Sequence, residues 1–297
     1  MNIFFPISGI SVNIFLPPLV AFVISFFTSM GGVSGAFLLL PFQVSFLNYT
    51  TPGVSGTNFV YNIAAIPGGV YRYFKEGRMF FPLAIVLTIG TLPGVFIGYF
   101  IRVKYLYNPV VFKAFVGVVL LYVGVRLLFS LIRPKKVEHT KNFDLKILTS
   151  NIFRSSFEFQ EKTYSFSNFW TFLLSFFVGI IGGAYGIGGG SIIAPFCVAV
   201  FNLPVYVVAG PALLATWITS ILGVFYYSLN PLGSPGSEPD ILLGLLFGLG
   251  GIAGTYLGAR LQKHVPSGII KLILSLSILF LSVKYIFDFV LKTFFTP

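Results

Sequence analysis

Charge is what this chain has least of. Of its 297 residues only 8 are Asp or Glu and 19 are Lys or Arg, and residues 1–71 and 163–237 hold no Asp, Glu, Lys, Arg or His at all. A soluble domain carries about a quarter of its residues charged, because its surface must face water. With 56% hydrophobic residues, in runs long enough to cross a hydrocarbon layer of about 30 Å, the excess apolar surface must face lipid. Cysteine is nearly missing too: Cys197 stands alone in an apolar run, which excludes an intrachain disulfide and reads as a packing residue. The two histidines, His139 and His264, fall in loops. There is no H-E-x-x-H, no G-x-x-x-x-G-K-S/T and no cysteine-histidine cluster, so no metal and no cofactor is expected. A basic n-region is absent from Met1–Pro18, so no signal peptide is expected and the first apolar helix stays in the protein. The net charge of +11 sits in short loops beside apolar helices, where it encodes topology rather than nucleic-acid affinity.

What is present is one membrane unit written twice. A shift of 154 positions superimposes Gly32 on Gly186, Gly35 on Gly189, Pro41 on Pro195, Phe42 on Phe196, Asn48 on Asn202, Gly56 on Gly210, Gly69 on Gly223 and Tyr73 on Tyr227. Beyond a longer loop in the second copy the shift becomes 160, matching Gly90, Gly94 and Gly98 to Gly250, Gly254 and Gly258. At 158, Lys113 and Arg126 then match Lys271 and Lys284. The chain divides into repeat 1 (1–132), a basic linker (133–167) and repeat 2 (168–297), as internal-repeat logic requires.

The apolar segments read as 14–31, 34–48, 53–71, 80–101 and 110–131, then 168–184, 187–202, 206–228, 241–262 and 268–290. Taken as one helix, residues 14–48 would be about 50 Å long, too long for one span, so the glycines must break it. The predicted fold is an all-α polytopic membrane protein of two homologous repeats. Each has a glycine-broken short-helix pair plus three spans, for 8–10 membrane helices in total.

Charge bias decides how the copies are related. If each broken pair returns to its own side or counts as two spans, one face collects Arg72, Lys75, Arg78, Arg133, Lys135, Lys136, Lys141, Lys146, Arg154, Lys162, Arg260, Lys263 and Lys271. The other then keeps Arg102, Lys104, Lys113 and Lys292. Counting each pair as a single span splits the charges less cleanly. The positive-inside rule therefore favours inverted repeats, with both termini outside and the linker in the cytoplasm. The mixed-charge linker, apolar at 143–148 and 152–159, reads as a surface-lying helix, with anionic-lipid contact as the sharper alternative.

The breaks carry the chemistry. Gly31-Gly32-Val33-Ser34-Gly35 and Gly182-Gly183-Ala184-Tyr185-Gly186-Ile187-Gly188-Gly189-Gly190-Ser191 interrupt helices at membrane depth, where bare backbone must be satisfied by protein, water or substrate. Each resuming helix begins with unpaired N–H groups and partial positive charge, which suits an anion. Paired breaks at corresponding positions point to a substrate site. The candidate lining is Gly32, Ser34, Gly35, Gln43, Thr57, Asn58 and Asn62 from the first copy, and Tyr185, Gly186, Gly188, Gly189, Gly190, Ser191 and Thr216 from the second. Any one of these can equally be helix packing or an interhelical hydrogen bond, and for Gly90, Gly94, Gly98, Gly179, Gly250, Gly254 and Gly258, spaced by fours, packing is the preferred reading.

Asp288 is the one Asp, Glu or His inside the predicted apolar segments, so ion coupling through a fixed carboxylate is unsupported. A substrate that carries the negative charge itself fits better. Arg72, Arg102, Arg126, Lys113, Lys271 and Lys284 sit near helix ends and should snorkel to headgroups, with Arg72 also placed to draw anions at a vestibule. Gly32-Val33-Ser34-Gly35 and Gly53-Val54-Ser55-Gly56 mimic the G-x-S-G of rhomboid proteases, but no intramembrane base accompanies either serine, so no enzyme is expected.

The segments GGVSGAFLLLPF and GIGGGSIIAPF, then Gly56-Thr57-Asn58 and Tyr71-Arg72-Tyr73-Phe74-Lys75-Glu76-Gly77-Arg78, resemble the sulfite exporter TauE/SafE family of membrane permeases over both halves. The first copy departs from the family pattern at Ser34, Ala36 and Phe37, and the second at Pro211. The resemblance implies transport, in the export direction, of a sulfite, sulfonate or sulfoacetate-like anion across the plasma membrane. The residues alone specify only a small anionic substrate and membrane lipids as partners, with no nucleic acid. A passive anion channel and a structural scaffold remain open alternatives.

Overall fold

A computed structural model describes residues 2–30, 33–132, 145–199, 201, 203–230, 232–261 and 267–294. A hairpin of β1 (Asn2–Phe5) and β2 (Ile10–Asn13) precedes α1 (Leu16–Met30), α2 (Ala36–Ser45), α3 (Gly53–Lys75), α4 (Phe81–Lys104) and α5 (Pro109–Ile132). An antiparallel sheet follows, β3 (Leu145–Ser150), β4 (Arg154–Phe159) and β5 (Lys162–Ser167). The second set of helices is α6 (Asn168–Tyr185), α7 (Gly189–Ala199), α8 (Val205–Leu229), α9 (Ile241–Leu261) and α10 (Ser267–Phe294). The protein is mostly helical, and α4, α5, α6, α8 and α9 are each long and apolar enough to cross a membrane.

Two expectations fail here. The fold is not all-α, and residues 145–167 form a sheet rather than a surface helix. The physical reason is a period of two: along β4 Ser155, Phe157 and Phe159 turn inward while Arg154, Ser156 and Glu158 turn away. Gln160 and Glu161, at φ 54° and 59°, make the tight two-residue turn to β5 without the Asn-Gly pair that would announce it. The inward phenylalanines pack on Phe80 ahead of α4, with ring centroids 4.8 Å away at Phe157 and 6.2 Å at Phe166.

The glycine ladders fix the helix packing, and they do so twice. A Cβ on Gly90 would lie 2.6 Å from Ser175 Cβ, on Gly94 2.8 Å from Ile180 N, and on Gly98 2.8 Å from Gly183 Cα, so α4 runs parallel to α6 at backbone contact. The matching glycines of α9 meet α1 in the same way: Gly250 against Pro18 Cα at 2.8 Å, Gly254 against Ser25 Cβ at 2.9 Å, and Gly258 against Phe26 and Ser29. Hydrogen bonds recur at the same shift. Tyr73 donates to Ser29 O at 3.4 Å, and Tyr227, 154 positions on, donates to Gly183 O at 3.2 Å.

Helices α3 and α8 pack antiparallel, as do α5 and α10. A Cβ on Gly56 in α3 would lie 3.0 Å from Tyr227 Cβ in α8, and one on Gly210 in α8 would lie 3.2 Å from Tyr73 Cβ in α3. In α5 and α10, Gly117 likewise faces Tyr285 and Ile286 while Gly124 faces Ile278 and Leu279. Helix α7 turns back along α6, bringing Gly189 to Gly179, and α8 then starts beside Arg78 at the end of the bundle that bears the sheet. With 11 residues α7 is about 16 Å long, and α2 with 10 residues about 15 Å, each roughly half a membrane.

Candidate functional site

Helix α3 carries the candidate site. Asn58 and Asn62 lie one turn apart on the same face, and Asn62, nine residues after Gly53, sits about 14 Å from the start of a 23-residue helix, near its middle. Asn62 joins the two breaks: its Oδ1 accepts from Ser34 Oγ at 2.5 Å, and its Nδ2 donates to Ile187 O at 3.3 Å and Ser220 Oγ at 3.1 Å. Ser34 Oγ also accepts from Ala36 N at 3.2 Å, a local turn bond just ahead of α2. One turn earlier, Asn58 Nδ2 donates to Ala36 O at 2.9 Å and its Oδ1 accepts from Gln43 Nε2 at 3.2 Å. Tyr185, ahead of the second break, donates to Phe37 O in α2 at 2.9 Å. Ser34, Gln43, Asn58, Asn62 and Tyr185 are all fully buried. They form one uncharged network of hydroxyls and amides.

Other expected residues take different places. Thr57 lies toward the hairpin end, accepting from Asp240 N at 2.8 Å and bonding Tyr49 OH at 3.2 Å. Thr216 turns its hydroxyl to Ala212 O within α8 at 2.8 Å. The glycines of the second break fit against protein. Gly186 and Gly188 have φ of 83° and 72°, the left-handed region that favours glycine, and a Cβ on Gly186 would meet Ser55 Cα at 2.6 Å. A Cβ on Gly189 would meet Thr91 Cβ at 2.8 Å, and one on Gly190 Thr216 Oγ1 at 2.5 Å. Gly35 is pinned by the hydroxyls of Tyr61 and Ser25, themselves 2.6 Å apart. Gly32 and the Ser191 side chain lie outside the described residues.

The two ends differ in charge. At the sheet end Arg72 pairs with Glu76 at 2.5 Å, and Glu76 also pairs with Arg78 at 3.2 Å. Arg78 stacks on Tyr73 and Tyr206. At the hairpin end Arg102 does not snorkel as its sequence position predicts. It is fully buried, stacked 3.6 Å from the Phe112 ring centroid, and donates to the carbonyls of Leu106, Thr50 and Thr51. Three carbonyls and a ring compensate the guanidinium better than distant headgroups would, which is why it turns inward. Among the described residues no carboxylate pairs with it.

Sequence reasoning missed Tyr49, Ser220, Asp240 and Arg102. Asp240 caps α9 through Leu243 N at 3.0 Å and holds the N-terminal hairpin through Ser8 Oγ at 2.7 Å. Burial pushes the Tyr49 hydroxyl up, so it stays a neutral hydrogen-bonding group. Beside it a cleft of about 560 Å³, lined by uncharged groups that include Asn2, Ser8, Ser11, Asn13 and Asn48, opens under the hairpin. No group of three or more metal-ligating side chains exists among the described residues.

Comparison with known proteins places this geometry. The family described as Sulfite exporter TauE/SafE matches residues 18–285, which takes in both breaks and all ten helices in whole or part. The chain belongs to that family. One relative is a probable membrane transporter protein, YunE, of Bacillus subtilis (strain 168), 23% identical over 274 residues that cover 88% of this chain and 92% of the relative. No solved structure matches. Membership in the TauE/SafE family makes this a membrane transport protein that moves a small molecule.

Proposed function

We propose that the protein is a secondary transporter of a small sulfur-containing or organic oxyanion, working by alternating access and exporting its substrate across the plasma membrane. The observation that carries this reading is the convergence of both breaks on Asn62: Ser34 from the first and Ile187 from the second meet one side chain near mid-helix. Buried hydroxyls and amides bind an oxyanion without adding a fixed charge, and a site between repeats near the midplane is where alternating access needs it. The antiparallel packing of α3 with α8 and of α5 with α10 supports an inverted relation between the copies, because repeats related by an axis along the membrane normal place equivalent helices parallel. In this arrangement both termini lie outside, the linker and its sheet lie in the cytoplasm, and rocking of one repeat against the other exposes the network alternately. Arg72, beside Glu76 and Arg78, guards the cytoplasmic vestibule.

The test is uptake of radiolabelled sulfite, sulfoacetate and ethanesulfonate into proteoliposomes with wild type, Thr57→Ala and Asn58→Ala. Saturable uptake of one anion, lost in Asn58→Ala while the protein stays folded, supports the proposal. Flux that rises linearly with concentration assigns a passive channel instead, and full activity in Asn58→Ala moves the site elsewhere.

A further inference from the structure

One atom in the network has nothing to bind. Gln43 is fully buried, and among the described residues its Oε1 has no hydrogen-bond partner. Its orientation is not arbitrary, although amide oxygen and nitrogen look alike: the Ala36 carbonyl needs a donor, which makes the facing atom of Asn58 its Nδ2. Asn58 Oδ1 then faces Gln43, so Gln43 must offer Nε2 and leave Oε1 over. The backbone carbonyl of Gln43 is already taken by Tyr49 N at 3.0 Å. An orphan acceptor in a buried network calls for a donor from whatever fills the site.

A fully ionised oxyanion has only acceptors and would set its oxygens against Oε1. We infer, on the reading of this network as the transport site, that the transported species carries its own hydrogen-bond donor: a singly protonated oxyacid anion, with its O–H on Gln43 Oε1 and its other oxygens on the amide N–H groups. This supplies a coupled proton without a fixed carboxylate in the network, because the proton then rides on the substrate. The titratable groups bonded to α2 from neighbouring elements are hydroxyls. Tyr185 donates to Phe37 O, Tyr285 to Pro41 O and to or from Ser45, and Tyr49 lies in the loop that follows. Near these elements the charged groups are Asp240, held by Ser8 at the hairpin end, and Lys284, Asp288 and Lys292 on α10, where Lys284 and Asp288 flank Tyr285. The Gln43 side chain itself bonds Asn58, so a rate that tracks the hydrogensulfite concentration reports the substrate's proton.

The test is flux of sulfite and of methanesulfonate, which has an oxyanion head without a donor, into liposomes holding the full-length protein, above protein-free liposomes. The expected wild-type sulfite rate tracks the hydrogensulfite concentration, falling about tenfold per pH unit above the second ionisation of sulfurous acid. Methanesulfonate should move at least about tenfold more slowly, since a site built for an O–H rejects the analogue lacking it. In Gln43→Met, close in length but without an acceptor, that preference should shrink to about threefold or less. A wild-type rate that follows the dianion, or equal transport of methanesulfonate, overturns the inference without touching the transport function, and both arms hold even if the variant does not fold. A preference unchanged in folded Gln43→Met also overturns it. Loss of all flux in wild type would instead sink the transport reading itself.

Discussion

Asn62→Ala tests whether the breaks are joined as described. The substitution removes three hydrogen bonds, to Ser34, Ile187 and Ser220. At about 0.6 kcal/mol each, the average for side-chain bonds between membrane helices, the loss is ~2 kcal/mol. The damage is uneven. Ser220 keeps its bond to Thr216 O at 2.7 Å and the Ser34 hydroxyl its contact with Ala36 N, whereas the link between Ser34 and Ile187 through one side chain is lost. With those bonds kept, a total of ~2 kcal/mol is expected. Unfolding in mixed micelles against denaturant measures it, and a double-mutant cycle with Ser34→Ala isolates the bond between the breaks, expected at ~0.5–2 kcal/mol of coupling. A coupling indistinguishable from zero, or an Asn62→Ala cost under about 0.5 kcal/mol, would refute the claim that this side chain holds the two breaks together.

Three further outcomes follow from the packing. Gly94→Ala and Gly254→Ala place a methyl against the backbone of α6 and against α1, so each should cost ~1–3 kcal/mol by forcing helices apart, and the two costs in thermal unfolding should agree within about 0.5 kcal/mol. Arg102→Met takes a donor from the carbonyls of Leu106, Thr50 and Thr51, of which Thr51 O keeps Val54 N, and should lower stability by ~2–4 kcal/mol, whereas a headgroup-facing arginine would tolerate the change within about 0.5 kcal/mol. The β3–β4 tip exposes Ile152 and Phe153 (87% and 78%), and both Phe153 O and Asn151 O accept from Asn168, the first residue of a candidate span, so the tip should rest in the headgroup layer. Placed in a tryptophan-free background, Phe153→Trp fluorescence should be quenched by shallow nitroxide lipids, and quenching by aqueous iodide alone would contradict this.

Helix positions were legible in the sequence because membrane spans are long, uncharged and punctuated by glycine, and the segment limits fall within a few residues of most of the helices observed. Gly94 and Gly254, or Tyr73 and Tyr227, stood out at constant shifts along the sequence, and each is fixed by close contacts that tolerate few other residues. Ser34, Gln43, Asn58, Asn62 and Tyr185 were recognisable as polar groups in apolar surroundings. Which of them touch was not, because Asn62 reaches Ile187 across 125 positions of chain. Arg102 was misread because a sequence shows a basic residue at a helix end but not the Thr50 and Thr51 carbonyls that turn it inward. The linker sheet was hidden by its brevity and by a Gln160-Glu161 turn that lacks the usual turn residues.

The pairing of α1 with α9, and of α4 with α6, sets a timetable for biosynthesis. Helix α1 leaves the ribosome long before its partner, since about 230 residues separate Met30 from Leu261, or ~10–45 s at 5–20 residues per second. Through that interval the groove that will receive Gly250, Gly254 and Gly258 must be held by lipid or by the insertion machinery. Helix α6 has no such wait, because α4 is already there to receive it. The first half of the molecule is therefore a provisional structure that the second half completes, and a nascent chain arrested before α9 should be far more open to membrane proteolysis than its length alone would suggest.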